Sequence, residues 1–186
     1  QRHATSQLPE EAALFRIATL GFRGEALPSI GAVSRLTITS RTADGEAHRI
    51  AVEAGRVAEV APAAGASGTR VEVRDLFFAT PARRKFLRSP RVEADHAIEA
   101  VKRLAMAWPG TAFRVESDGR EMLALPATDR DSRIRQILGP EFATAALPVE
   151  YASAVLLISG LAAQPAHSRP TAAGQFMVVN RRPVRD

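Results

Sequence analysis

The stretch Gly21-Phe22-Arg23-Gly24-Glu25-Ala26-Leu27-Pro28-Ser29-Ile30 places two glycines, three residues apart, directly before a segment that opens as a helix. N–H groups at a helix start have no acceptor within the helix, and the helix dipole adds partial positive charge there. Glycine lets the chain take the φ values that turn successive N–H groups toward one anion, and phosphate is the natural guest. Taken alone, the pair equally suits a plain turn or an ordinary helix start. Pro28 fits only the first turn of that helix.

Upstream, Pro9 to Ala18 reads as a short helix with Glu10 and Glu11 in its first turn, where acids complement the dipole. Downstream, Arg35 to Arg41 alternates, Leu36 and Ile38 against threonines, which predicts a half-buried strand. His48 to Glu53 and Arg56 to Val60 form a hairpin turning at Ala54-Gly55. Pro62 to Gly68 is a loop of small residues. Thr69 to Asp75 is a strand with Val71 and Val73 toward the core, and Pro81 to Leu87 starts a basic helix.

Val92 to Trp108 gives the clearest helix, with Ile98, Val101, Leu104, Ala105 and Trp108 on one stripe. Pro109-Gly110 ends it. A hairpin follows around Asp118-Gly119, from Thr111 to Ser117 and Glu121 to Leu125. Pro126 to Asp131 is polar and broken by proline, and a domain boundary is expected there: 1–126 and 127–186. The second part holds a helix (Ser132 to Leu138) and strands at Val155 to Gly160 and Gln175 to Asn180. Helices and strands alternate without a regular βαβ rhythm, so the class is α+β.

Of 25 basic residues only Lys85 and Lys102 are lysine, and the net charge is +5. Guanidinium forks suit phosphate oxygens, although genomic codon bias also yields an arginine-rich chain. There is no cysteine, hence no disulfide frame and no thiolate metal site. The four histidines are scattered, which argues against zinc. The longest apolar run, Ala152 to Ala163, is too short to span a bilayer, and no signal peptide opens the chain, so a soluble intracellular protein is expected. The first residue is Gln1 and the chain stops at Asp186 after a strand and turn, the expected look of a segment from something longer.

Arg83, Arg84, Lys85, Arg88 and Arg91 crowd into Pro81 to Arg91 with no acid among them. Such a cluster neutralises phosphates and confers salt-dependent, sequence-independent DNA affinity. A solvated basic helix face, or a tie between domains, is the other reading. Phe86 and Leu87 are expected in the core.

The run Gly21 to Ile30 resembles the signature of the MutL family of mismatch-repair proteins almost residue for residue. Arg2-His3-Ala4-Thr5-Ser6 resembles the end of that family's ATP lid. Gly68-Thr69, Asp75-Leu76-Phe77, Pro81-Ala82-Arg83-Arg84-Lys85-Phe86-Leu87 and Val178-Val179-Asn180-Arg181-Arg182-Pro183-Val184-Arg185-Asp186 follow in family order. The resemblance implies the rear part of a Bergerat-type (GHKL) α/β sandwich ATPase domain, of the kind found in gyrase B and histidine kinases. The start of a ribosomal protein S5-like α+β domain would follow it. It also implies that Leu20, Gly21, Phe22, Arg23, Gly24 and Glu25 wrap the ATP phosphates and that Thr69 lies near the adenine pocket. Thr5 and Ser6 would add hydroxyl contacts, or serve as a helix cap. Arg83, Arg84, Lys85 and Arg88 are the expected DNA contacts.

Departures from the family matter as much. Its glutamate base precedes a Mg²⁺-holding asparagine by four residues, yet the one asparagine here is Asn180, with Phe176 four before it. No Asp-x-Gly-x-Gly occurs either. No catalytic residue and no metal ligand is therefore assigned, and this chain alone is expected to be inactive although its parent uses ATP and Mg²⁺. The resemblance further implies a parent that forms an ATP-closed homodimer. It would act on DNA and pass a mismatch-recognition protein's signal to a nuclease and a helicase, without membrane attachment. A DNA-binding module that never uses ATP, and another GHKL ATPase such as a type II topoisomerase subunit, are the alternatives. Where the family often has glycine after the asparagine, Arg181 stands here, so Asn180 is expected to carry any φ > 0 of that turn.

Overall fold

Gly24 takes φ +62°, and directly after it the chain enters helix α1 (Ala26–Gly31). The computed structural model describes residues 24–167 and 172–184. The expected helix at 9–18 and the residues Thr5, Ser6, Leu20, Gly21, Phe22 and Arg23 lie outside them. The chain divides into two compact units between Arg88 and Ser89.

In the first unit α1 leads into a sheet of five strands: β1 (Arg35–Arg41), β2 (Ala47–Glu53), β3 (Arg56–Val57), β4 (Ala61–Ala63) and β5 (Gly68–Arg74). The order is β3-β2-β1-β5, with β4 also paired to β2, and all pairings are antiparallel. Ala54 (φ +46°) and Gly55 (φ +85°) make the tight turn the sequence predicts between β2 and β3.

Because successive residues alternate between faces, the registers sort this sheet cleanly. Leu36 pairs with Val52 and Val73, and Ile38 with Ile50 and Val71, giving one apolar face. Leu36 is buried, but Val71 and Val73 are 49% and 44% exposed. They occupy the expected face without the expected cover, because α1 packs over β1 and β2 while β5 is an edge strand. The loop expected at 62–68 begins as strand β4, which allows Pro62 because β4 is itself an edge. Helix α2 (Pro81–Arg84) stops after one turn rather than continuing to Leu87. Phe86 is consequently 85% exposed and Leu87 is exposed too, not in the core, since neither sits on a helical stripe.

The second unit is built on α3 (Pro90–Ala107), whose Ala105 is fully buried. Two antiparallel hairpins follow in this unit. One joins β6 (Phe113–Ser117) to β7 (Arg120–Leu125) through Asp118 (φ +51°) and Gly119 (φ +74°). The other joins β8 (Leu147–Ala152) to β9 (Leu157–Ala162). Between them lie α4 (Arg130–Leu138) and α5 (Pro140–Ala145). Asp129 caps α4, its carboxylate accepting from the Ser132 N–H at 2.9 Å. Last come β10 (Met177–Val179) and β11 (Arg182–Val184), joined at Asn180-Arg181. Both turn residues take positive φ, +47° and +63°, so Arg181 shares with Asn180 the strain that glycine would relieve. Its guanidinium lies 5.7 Å over the Trp108 ring. Among the described residues no helix is long and apolar enough to cross a membrane.

Candidate functional site

Helix α1, which follows the described end of the phosphate-loop candidate at Gly24 and Glu25, is held from behind. Ser29 N–H donates to the Glu25 carbonyl at 3.0 Å, starting α1, while the N–H groups of Ala26 and Leu27 have no acceptor inside the helix. At the far end, the buried Ser34 hydroxyl donates to the Ile30 carbonyl at 2.7 Å. Gly55 N–H reaches the Gly31 carbonyl at 2.9 Å, and Phe77 N–H the Val33 carbonyl at 2.7 Å. A Cβ on Gly31 would stand 2.9 Å from Val52 Cγ1, so only glycine lets α1 lie this close to the sheet. Three backbone or hydroxyl contacts thus hold α1 on the apolar face. Ser34 was not singled out in the sequence, where a serine ahead of a strand has no distinguishing signal.

Thr69 sits on that same face: its Oγ1 is 2.9 Å from Ser40 Oγ, and it pairs with Ser40 in the ladder. Leu36 and Ser40 are four residues apart on β1, so Thr69 lies about 13 Å along the strands from the end where α1 packs. The structure therefore places Thr69 on the face that α1 packs against, at the end away from the Gly31 contact with Val52 and Leu36.

Arg83 and Arg84 lie on α2, Lys85 closes it, and Arg88 follows, all exposed. Alongside β1, Arg35 donates to Asp75 at 2.6 Å and to Glu53 at 2.9 Å, and stacks 4.4 Å over Phe78. The Asp75 and Glu53 carboxylates hold its guanidinium proton more tightly than usual.

In the second unit the polar centre is Arg133, fully buried on α4. Its Nη2 donates to the carbonyls of Pro109 (2.9 Å), Thr111 (2.8 Å) and Pro126 (3.0 Å), and its Nη1 to Gln136 Oε1 (3.2 Å). Among the described residues no carboxylate meets it, and burial lowers its affinity for the proton. One arginine thereby ties the end of α3, the start of β6 and the end of β7 to α4. A cavity of about 720 Å³ lies in the same unit, walled by Ile134, Leu138, Phe142, Leu161 and Phe176. None of the residues expected to bind nucleotide or DNA lines it. Among the described residues no group of three or more His, Asp and Glu side chains gathers as a metal site.

The family model for the DNA mismatch repair protein, C-terminal domain, matches residues 134–186. The chain is 49% identical over its whole length to the DNA mismatch repair protein MutL of Rhodospirillum rubrum, covering 30% of that protein. It is 52% identical to MutL of Bradyrhizobium diazoefficiens, again over all of the chain and 32% of the relative. The chain thus spans about a third of the length of these curated relatives. Among solved structures, the Aquifex aeolicus MutL ATPase domain complexed with ADP matches 95% of this chain and 67% of its own, with TM-score 0.71 and 29% identity. The N-terminal domain of a DNA repair protein matches with TM-score 0.72 at 22% identity, a likeness of fold.

Proposed function

We propose, from the premise that this chain belongs to the MutL family of DNA mismatch-repair proteins, that it supplies the phosphate-holding loop and a DNA-facing surface of a repair ATPase. The single observation behind the nucleotide reading is the left-handed Gly24 just before α1, inside the family run from Gly21 to Ile30. The Aquifex aeolicus MutL ATPase domain that matches 95% of this chain is complexed with ADP, which supports the same reading.

In this reading residues 1–126 are the rear of a Bergerat-type domain and 127–186 the start of an S5-like domain. The backbone from Leu20 to Glu25 holds the nucleotide's phosphates, Thr69 stands toward the base, and Thr5 and Ser6 add hydroxyls. ATP with Mg²⁺ supplies the reacting phosphoryl group and its charge neutralisation. The described residues fit the phosphate end, by glycine freedom and helix-start N–H groups that have no acceptor within the helix, and do not supply the metal end. Glu25 stays outside the role of general base, since the family's base stands four residues before an asparagine and the one asparagine here is Asn180. Arg83, Arg84, Lys85 and Arg88 contact DNA phosphates without reading sequence. The assembled protein closes as a homodimer on ATP and relays a mismatch signal to a nuclease and a helicase.

The test replaces the matched segment of Rhodospirillum rubrum MutL with this chain. The chimera should bind nucleotide, and Gly24→Val should abolish that binding with the far-UV circular dichroism unchanged. A β-branched residue resists φ +62° and adds bulk where the phosphate approaches. Nucleotide affinity retained in the valine variant would reduce the loop to a turn.

A further inference from the structure

Strand register places six arginines on the second face of the first unit's sheet: Arg35, Arg41, Arg49, Arg56, Arg70 and Arg74. Against them stand Glu53 and Glu72 on the strands and Asp75 just past β5, a net +3 from six cations and three anions. The opposite face has no Asp, Glu, Lys or Arg at any paired position. The acids neutralise only one end of the array. Glu72 is shared at 3.2 Å by both Arg70 and Arg74, and Glu53 and Asp75 both serve Arg35. Arg41 is held by the carbonyls of Gly45 (3.0 Å) and Gly65 (3.2 Å), which aim it without cancelling its charge.

This face is also concave. The segment after β4 curls over it, Gly65 lying so that a Cβ would stand 3.5 Å from Thr39 Cγ2 and 3.8 Å from Ala47 Cβ. Between that wall and the strands runs a cleft of about 690 Å³. Its wall, Ala63 to Gly68, is Ala-Ala-Gly-Ala-Ser-Gly, so nothing bulky obstructs approach to the arginines. Thr37 and Thr39 add hydroxyl donors to the floor.

We infer that this arginine face is a second nucleic-acid surface, one that lays the phosphate backbone of duplex DNA across β1, β2 and β5 independently of the α2 cluster. The inference rests on the DNA reading given above. Charge complementarity chooses the occupant. From Arg35 to Arg41 the face runs about 20 Å, a length over which duplex DNA carries about a dozen phosphate charges. Guanidinium forks match phosphate oxygens, and hydroxyls are frequent backbone donors. An acidic protein fits less well. Protein interfaces depend on aromatic or large apolar anchors at their centre, and the strand positions of this face hold only Arg, Glu, Thr, Ala and Gly.

The experiment measures binding of a fluorescent DNA duplex by anisotropy against salt concentration. It compares the intact chain, Arg49→Glu/Arg70→Glu and Arg83→Glu/Arg84→Glu, with Arg49→Gln/Arg70→Gln as the milder change and circular dichroism to confirm folding. Each lost phosphate contact lowers the log–log salt slope by roughly 1, so each glutamate pair should lower it by roughly 2 and the glutamine pair should follow its glutamate counterpart. A wild-type slope in both Arg49/Arg70 variants would overturn this surface, whatever the α2 variant does. A wild-type slope in Arg83→Glu/Arg84→Glu alone would remove the α2 contacts and leave the sheet face standing. Absence of duplex binding by the intact chain would overturn both. A loss in the sheet variants confined to a poly-glutamate probe, with DNA binding intact, would reassign the face to an acidic protein.

Discussion

Arg35 and Arg133 are the same residue put to opposite uses. Arg35 lies at the water's edge of the first unit, with two carboxylates at 2.6 and 2.9 Å and an aromatic ring beneath it. Arg133 lies wholly inside the second unit, with three backbone carbonyls and an amide oxygen and, among the described residues, no carboxylate. In water an ion pair gains little, because solvent screens it and the side chains lose freedom. Inside, losing Arg133 would take a donor from the Thr111 and Pro126 carbonyls, while Pro109 keeps the Thr128 N–H, and acceptors left short of a donor away from water are costly. An arginine's neighbours, more than its charge, decide what it does for the fold.

Breaking the buried side should therefore give the larger effect. Arg133→Met keeps much of the volume and removes every donor, and should destabilise the second unit by about 3–5 kcal/mol. Arg133→Lys should recover only part of this, since lysine has no second nitrogen to donate to Gln136 Oε1 while the first meets the carbonyls. Chemical denaturation of both variants measures it. A loss no larger than that of Arg35→Ala would erase the contrast between the two arginines.

A middle case is Asp129, exposed yet bound to backbone. The Ser132 N–H, then the Ser132 hydroxyl, hold its carboxyl below the usual carboxylate range. A depressed folded-state pKa gives stability that is present above the ordinary carboxylate value and is lost as pH falls through the folded one. Asp129→Ala should thus lower the melting temperature at neutral pH, and the gap to the unmodified chain should close in acid. A gap that stays constant with pH would mean the carboxylate's charge contributes nothing to the cap.

The smallest effect belongs to Arg35→Ala. Its loss should be modest and should shrink further as salt rises, because both ion pairs are exposed. Melting curves at low and high salt test this, and a salt-independent loss would instead implicate the stack on Phe78.

Much of the fold was legible because its signals are local. Alternation over Arg35 to Arg41, glycine turns at Ala54-Gly55 and Asp118-Gly119, and the apolar stripe of α3 each need only a few neighbouring residues. Strand β8 and helix α5 were not foreseen. β8 contains Pro148, which reads against a strand unless the partner across the ladder is known, and α5 is too short to show a period. Phe86 failed for a related reason: its burial was inferred from a helix that ends two residues earlier.

The candidate site divides in the same way. The glycine's φ at Gly24 and the strand that begins at Gly68-Thr69 were readable because they are properties of short segments, whereas the roles expected of these residues toward a nucleotide came from the family resemblance. The arginine face and the burial of Arg133 were not readable, because both depend on which strands and loops meet across long separations in sequence. Arginine abundance even concealed them, one residue type serving as ladder surface, keystone and turn.

On the proposed function, the chain holds the phosphates of a nucleotide and does not itself activate water. Hydrolysis needs a positioned water, a base and a metal besides electrostatic cradling. The most direct measurement is phosphate release from Mg·ATP above a no-protein blank, by the purified chain and by the Rhodospirillum rubrum chimera side by side. No turnover is expected from the chain, and turnover from the chimera that Gly24→Val abolishes. Turnover by the chain alone that disappears on mutating one of its own residues would contradict the account, since it would require a general base within these 186 residues.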